Sequence, residues 1–225
     1  MSGRRRPLVI VGAGGFGREV VDIVDAMNAV SPDFELLGFL DDGEVREDLL
    51  RRIGVQRLGE TRMLAELDAD YVIGIGAADP RRRIDVLATG WGRRAPVLRH
   101  PAATMGRDVE LGEGVIVAAG SRMTTHISLG RHVHVNMNCT IGHDTVIEDH
   151  ATLFGGVVVG GGCVIASGAT IGSGAVILPG VRIGEDAVVG AGALVVRDVA
   201  SNAIVVAPAA RPSLRSPQGD PSAGS

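Results

Sequence analysis

An aliphatic residue returns every six positions between Leu111 and Ala200. Stepping from Leu111 through Val117, Met123, Leu129, Val135 and Ile141 to Val195 gives fifteen positions, all aliphatic or Met, with no insertion in the phase. Seven of the fifteen are followed directly by Gly, as at Gly112, Gly130 and Gly142. The fifth residue of each hexad is small or β-branched, as at Val133, Cys139, Ala151 and Cys163. Neither the helical period of about 3.6 nor the strand period of 2 fits.

A longer fixed period is the mark of a solenoid, in which each repeat buries its apolar residues only against its neighbours. The pattern predicts one short strand per hexad and a tight corner at the small residues. Three hexads close a triangular coil, so the repeat makes about five coils, or a prism about 24 Å long at the ~4.8 Å spacing of parallel strands.

The pattern ahead of the repeat is different. Pro7–Val11 is an apolar run that leads straight into Gly12-Ala13-Gly14-Gly15-Phe16-Gly17. Val20, Ile23, Val24 and Met27 then fall at helical spacing within Arg18–Val30. Strand, Gly-rich turn and helix form the context in which G-x-G-x-x-G cradles a phosphate, because free N–H groups and the positive end of the dipole face the turn. A second strand, Glu35–Leu40, ends in Asp41-Asp42, whose carboxylates are placed to accept hydrogen bonds from a ribose or base. A short helix is expected over 61–67, a strand over Tyr71–Ile75 ending at Gly76, a helix over Pro80–Leu87 and a fourth strand over Pro96–Arg99.

The predicted fold class is an α/β Rossmann-like βαβαβ unit over residues 1–100, then an all-β prism over 101–207 and a Pro/Ser/Gly-rich disordered tail over 208–225. A single mononucleotide half suits one nucleotide diphosphate better than a dinucleotide. A tight turn that binds nothing is the competing reading of the glycines.

Composition narrows the picture. Hydrophobic residues are 45 % of the 225, yet aromatics are 3 % and there are 33 glycines, which suits stacked Val, Ile and Ala. The net charge of −4 and pI near 5.9 argue against a nucleic-acid partner. Cys139 and Cys163 both occupy the fifth hexad position and are expected as small core residues. The apolar run after Arg4-Arg5-Arg6 is too short for a secretory h-region, and no stretch of about 18 apolar residues exists to cross a membrane. A cytoplasmic protein is expected.

Val9–Glu19, Gly38–Asp42, Ile73–Gly76 and Ile141-Gly-His-Asp-Thr-Val-Ile-Glu148, followed by the hexad run, stand in one order over residues 7–207. In this the chain resembles the hexapeptide-repeat sugar-nucleotide acetyltransferases that act on 4-amino-sugars, together with their sialic-acid O-acetyltransferase-like relatives. The resemblance implies a left-handed β-helix, acetyl-CoA as co-substrate, a UDP- or dTDP-linked amino-sugar as acceptor, and a homotrimer with its cofactor between subunits. It implies that Gly14, Gly15, Phe16, Asp41, Asp42 and Gly76 bind the sugar nucleotide. Thr152, Ser173 and Ala191 would bind acetyl-CoA, and His143 and Asp144 would form the catalytic pair. Phe16 and Thr152 stand where the family commonly has His, and Ala77-Ala78 replaces an Asn pair.

His143 suits that task. An amine must be neutral to attack a thioester, and imidazole, with a pKa of about 6.5, can take its proton near neutral pH. Pairing with the adjacent Asp144 requires a corner at this site, because neighbours in a strand face opposite ways. The other four histidines of the repeat are expected at solvated or interface positions. His132 and His150, eighteen residues apart, should stack one coil above the other. The third His of a zinc site is missing, so no metal is expected. Direct attack in a ternary complex is favoured over a covalent enzyme. O-acetylation of a sugar hydroxyl and a non-catalytic nucleotide-sugar-binding trimer are the alternatives.

Overall fold

The computed structural model describes residues 5–208, so the tail expected over 208–225 lies, except for Pro208, outside the described residues. The N-terminal half is a parallel sheet of four strands, β1 (Arg6–Val11), β2 (Phe34–Leu40), β3 (Arg57–Gly59) and β4 (Asp70–Ile73), in the order β3-β2-β1-β4. Residues Leu8–Val11 of the central strand are buried on both faces, which is why this run is apolar without alternation. Helix α1 (Gly15–Val30) covers the sheet with Val20, Val21, Ile23 and Val24. Helices α2 (Glu47–Arg52) and α3 (Ala78–Gly90) complete the unit.

The short helix expected over 61–67 is present as a 3-10 helix, Thr61–Ala65, but one expectation needs correction. The fourth strand of this sheet is the half-buried edge strand β3, too short to show alternation. Leu98–Arg99 belongs instead to the prism, where it pairs with Ile116–Val117.

The prism is a left-handed parallel β-helix. Its first face carries seven strands from Leu98–Arg99 to Ile204–Val205, the second six from Thr104–Met105 to Leu194–Val195, and the third five from Val109–Leu111 to Arg182–Ile183. Inward residues such as Val133, Val135, Cys139, Ile141, Ile147 and Leu153 form one continuous core. One corner residue per hexad, from Asp108 to Gly192, has positive φ fifteen times in succession. Seven of these corners are not Gly but Asp, Asn or His, among them His126 (φ 53°) and Asp144 (φ 57°). Both Cys139 and Cys163 are buried free thiols, as expected.

The coils stack eighteen residues apart, as in Thr140 on Val158 and Val158 on Val176. At the C-terminal end Val199 pairs with Ile183 and Ile204 with Val188, a separation of sixteen. The last coil is therefore two residues short, and the six-residue phase ends at Val195 rather than Ala200. At the other end the coil starts earlier than the hexads indicate. Exposed Arg99 occupies the place that aliphatic Val117 fills one coil on, and an end coil with nothing stacked beyond it tolerates a polar residue there.

The N-terminal half sits on the first face. Leu98 and Ile116 join the core around α1, and the ring of Phe16 lies 4.8 Å from that of His134. Along α3, Asp85 accepts from Arg131 (2.7 Å), His132 Nε2 (3.2 Å) and His150 Nε2 (3.0 Å). The His132 and His150 rings are stacked at 5.9 Å, as expected from their spacing. Their setting is not as expected: His132, His134 and His150 are buried against the N-terminal half, and only His126 and His143 of the repeat are exposed. Fully buried Arg81 has no carboxylate partner; it donates to the carbonyls of Ile75 (3.0 Å), Gly76 (2.7 Å) and His150, and to His134 Nδ1 (3.2 Å). Burial and the neighbouring Arg82 push Arg81 down to about 9, which leaves it charged at neutral pH.

Burial alone would raise the Asp85 carboxyl, but the hydrogen bonds from His132, His150 and Arg131 hold it well below the usual range. Burial lowers both His132 and His134. Removing Asp85 strands its partners, so Asp85→Ala should destabilise the protein by about 3–5 kcal/mol in urea denaturation. The same groups set a pH dependence. The folded state refuses protons that unfolded histidines take up, so stability is full above about pH 6.5 and falls as pH drops through that value. Asp85 adds a second loss below about pH 4. A urea midpoint that stays flat between pH 8 and pH 5 would contradict this.

Candidate active site

The Gly-rich turn divides its work between packing and exposure. Gly12 has φ +103° and stands against Ile75, and a Cβ on Gly17 would collide with the Gly12 carbonyl. Those two glycines bring helix, turn and strand together. Nothing lies within 4 Å of a Cβ built on Gly14 or Gly15, so this side of the turn is open. Gly14 is the N-cap of α1 and provides no side-chain cap, leaving N–H groups of the first helical turn free for an anion.

Sheet order β3-β2-β1-β4 reverses between β1 and β4, and open α/β sheets bind ligands at the carboxyl ends of strands beside such a point. A cavity of about 600 Å³ lies there, lined by Gly12, Asp41, Asp42, Ile75, Arg83 and Trp91 among others. Asp41 and Asp42 thus reach the expected pocket, but both are partly committed to the backbone. Asp41 accepts from Ala13 N (2.7 Å) and Gly43 N (2.8 Å), and Asp42 from Thr61 N (2.7 Å). Trp91, Arg62 and Arg83 also line the cavity and were missed from sequence. The single Trp of the chain was the available signal. Gly76 borders the junction of the two halves, its carbonyl accepting from Arg81 and from Thr152 Oγ1 (3.0 Å).

The second group of site residues lies elsewhere. His143 and Asp144 form the corner between the second and third faces, away from the first face that carries the N-terminal half. The corner supplies the bend that pairing requires: His143 Nδ1 is 2.7 Å from Asp144 Oδ2. Both side chains are exposed, at 66 % and 60 %. Hydrogen bonding from His143 lowers the Asp144 carboxyl; a carboxylate only accepts, so Nδ1 donates, and in the neutral ring Nε2 carries the lone pair. Gly161, one coil on, makes room for the ring, since a Cβ there would come within 2.6 Å of Nε2.

Ser173 and Ala191 stand one coil apart on the edge between the first and second faces, exposed, with open space at Gly174 and Gly192 beside them. Thr152 does not join them. It is 1 % exposed on the first face, with its hydroxyl on the Gly76 carbonyl. Two further polar atoms on that face, His134 Nε2 and Asn136 Oδ1, are buried without a hydrogen-bond partner among the described residues.

Comparison with known proteins separates the same two halves. Residues 7–85 match the PglD N-terminal domain, and residues 162–197 match the bacterial transferase hexapeptide (six repeats). The chain is 30 % identical over 151 residues to GDP-perosamine N-acetyltransferase of Escherichia coli O157:H7, covering 65 % of this chain and 66 % of that relative. In both halves the chain is similar to the hexapeptide-repeat sugar-nucleotide acetyltransferases. These are acyltransferases, and two solved structures share the fold over most of the chain. The acetyltransferase domain of PglB from Neisseria gonorrhoeae, in complex with acetyl coenzyme A, matches at TM-score 0.81 and 29 % identity, over 93 % of this chain and 100 % of that one. A His-to-Asn variant of perosamine N-acetyltransferase from Caulobacter crescentus, in complex with CoA and GDP-perosamine, matches at TM-score 0.81 and 26 % identity, over 89 % and 93 %. Among the described residues no helix is long and apolar enough to cross a membrane.

The division of labour among the glycines can be checked directly. Gly17→Ala should cost about 1–3 kcal/mol in urea denaturation, because backbone meets the new methyl. Gly14→Ala should stay within about 0.5 kcal/mol of the parent. Equal losses at the two positions would show that Gly14 also serves packing.

Proposed function

We propose that the protein transfers the acetyl group of acetyl-CoA to the amino group of a nucleotide-linked amino-sugar. The observation that carries this is the exposed His143 anchored by Asp144, with Nε2 free, in a family whose relatives are named for this transfer. The nucleotide diphosphate binds over Gly14, Gly15 and Phe16 at the start of α1, and its nucleoside enters the cavity beside Asp41, Asp42 and Trp91. Acetyl-CoA runs along the glycine-lined edge that carries Ser173 and Ala191.

His143 Nε2 takes a proton from the acceptor nitrogen as that nitrogen attacks the thioester carbonyl carbon. The C–S bond breaks, and the proton passes on to the departing thiolate. Asp144 holds the ring in the required tautomer and stabilises the imidazolium. UDP and dTDP are the carriers expected from sequence, and GDP joins them because the relatives are named for GDP-perosamine.

Within one chain the sugar-nucleotide cavity and His143 are on different sides of the prism, so we propose that a second copy completes the site, in a homotrimer. Dependence on acetyl-CoA favours the cytoplasm as its place of work.

Thiol release from acetyl-CoA should be seen with at least one of the GDP-, UDP- and dTDP-linked 4-amino-sugars. His143→Ala should lower it by ~10²–10⁴ while calorimetry shows CoA still bound. An unchanged rate removes His143 from the chemistry, and release only with hydroxyl acceptors makes the enzyme an O-acetyltransferase. No release with any acceptor favours a binding trimer. Sedimentation should give three subunits, and a fully active monomer would refute the shared site.

A further inference from the structure

The corner that carries His143 holds more chemistry than the catalytic pair. Asp108, His126 and Asp144 follow one another at eighteen-residue intervals, each with positive φ (57°, 53° and 57°), so their side chains leave the prism one above the other. His126 Nε2 is 3.7 Å from Asp108 Oδ2, and His126 Nδ1 is 3.5 Å from Asp144 Oδ1. Asp144 offers its other oxygen, Oδ2, to His143 Nδ1 at 2.7 Å. The result is an alternating file of carboxylate, imidazole, carboxylate and imidazole running up one edge.

We propose that His126 is a positioning residue for the catalytic pair, acting through Asp144. Its contact with Oδ1 opposes rotation of the carboxylate and keeps Oδ2 towards His143. Its charge also matters. When protonated, His126 draws on the negative charge of Asp144 and so opposes a second positive charge on His143. The charged and titratable groups around His126 are Asp108 and Arg107 on the coil below, and Asp144 and His143 on the coil above. Arg107 meets it through the backbone, its carbonyl accepting from His126 N at 3.3 Å. His126 and Asp144 are both about three-fifths exposed, so the effect is that of charges in a water-like medium.

This inference rests on the proposed role of His143, and its test separates the two. Ring resonances of ¹⁵N-histidine-labelled protein give the His143 titration without substrate, and acetyl transfer is followed over pH in parallel. In His126→Ala the His143 titration and the acid limb of kcat/KM should both move up by about half a unit, with the plateau rate down several-fold. In His126→Gln, which keeps a donor for Asp144 but no charge, the plateau should recover while both pH shifts remain. A His143 titration that does not move in either variant overturns the proposal, whatever the rate does. If the titration moves but no acceptor is acetylated, the electrostatic coupling stands and the proposed function fails.

Discussion

The structure depends on one constraint: each coil but the last closes after eighteen residues, so side chains stand directly over their counterparts in the coil below. Burial then acts on columns rather than on single positions. A column that faces inward is apolar along most of its length, because its residues pack on those above and below and on the inward residues of the other two faces. A column on a corner must tolerate positive φ, a conformation that costs most L-residues about 1–2 kcal/mol and costs Gly, Asn and Asp less. What the corner gives in return is a side chain held by the backbone itself, with no loop to order. His143 and Asp144 use such a corner.

The same stacking explains how the halves are joined. One carboxylate on α3, Asp85, meets two imidazoles because His132 and His150 are already stacked. Arg81 is buried among carbonyls of both halves, and it thereby links the end of β4 to the coil at His150. The opposite side of α3 offers Pro80, Arg83, Ile84 and Leu87 to the nucleotide-sized cavity. One helix therefore serves as wall of the cavity and as anchor on the prism, and the orientation of the cavity is fixed by the hydrogen bonds of Asp85 and Arg81.

How much of this was legible in the sequence follows from where each signal originates. The hexads announce the prism because its burial rule is local and periodic. The Gly-rich turn announces the junction of β1 and α1, although the sequence does not distinguish packed Gly12 and Gly17 from open Gly14 and Gly15. The pairing of His143 with Asp144 was readable because only the corner geometry had to be supplied. The buried histidines were not readable. Nothing near His132 or His134 in the chain reports that α3, some fifty residues earlier, will cover them. Trp91 and β3 escaped for the same reason, since their environment is made by distant segments.

Stacking of this kind has no built-in stop, and among the described residues the end strands of the prism pair on one edge only. The two irregular coils acquire a meaning from that hazard. Arg99 puts a charge in an aliphatic column at the first coil, and the sixteen-residue last coil presents a register that no regular coil matches. Charged residues on edge strands and broken register are how natural sheets avoid edge-to-edge aggregation. Both departures from the repeat therefore fall at the edges where stacking would otherwise continue.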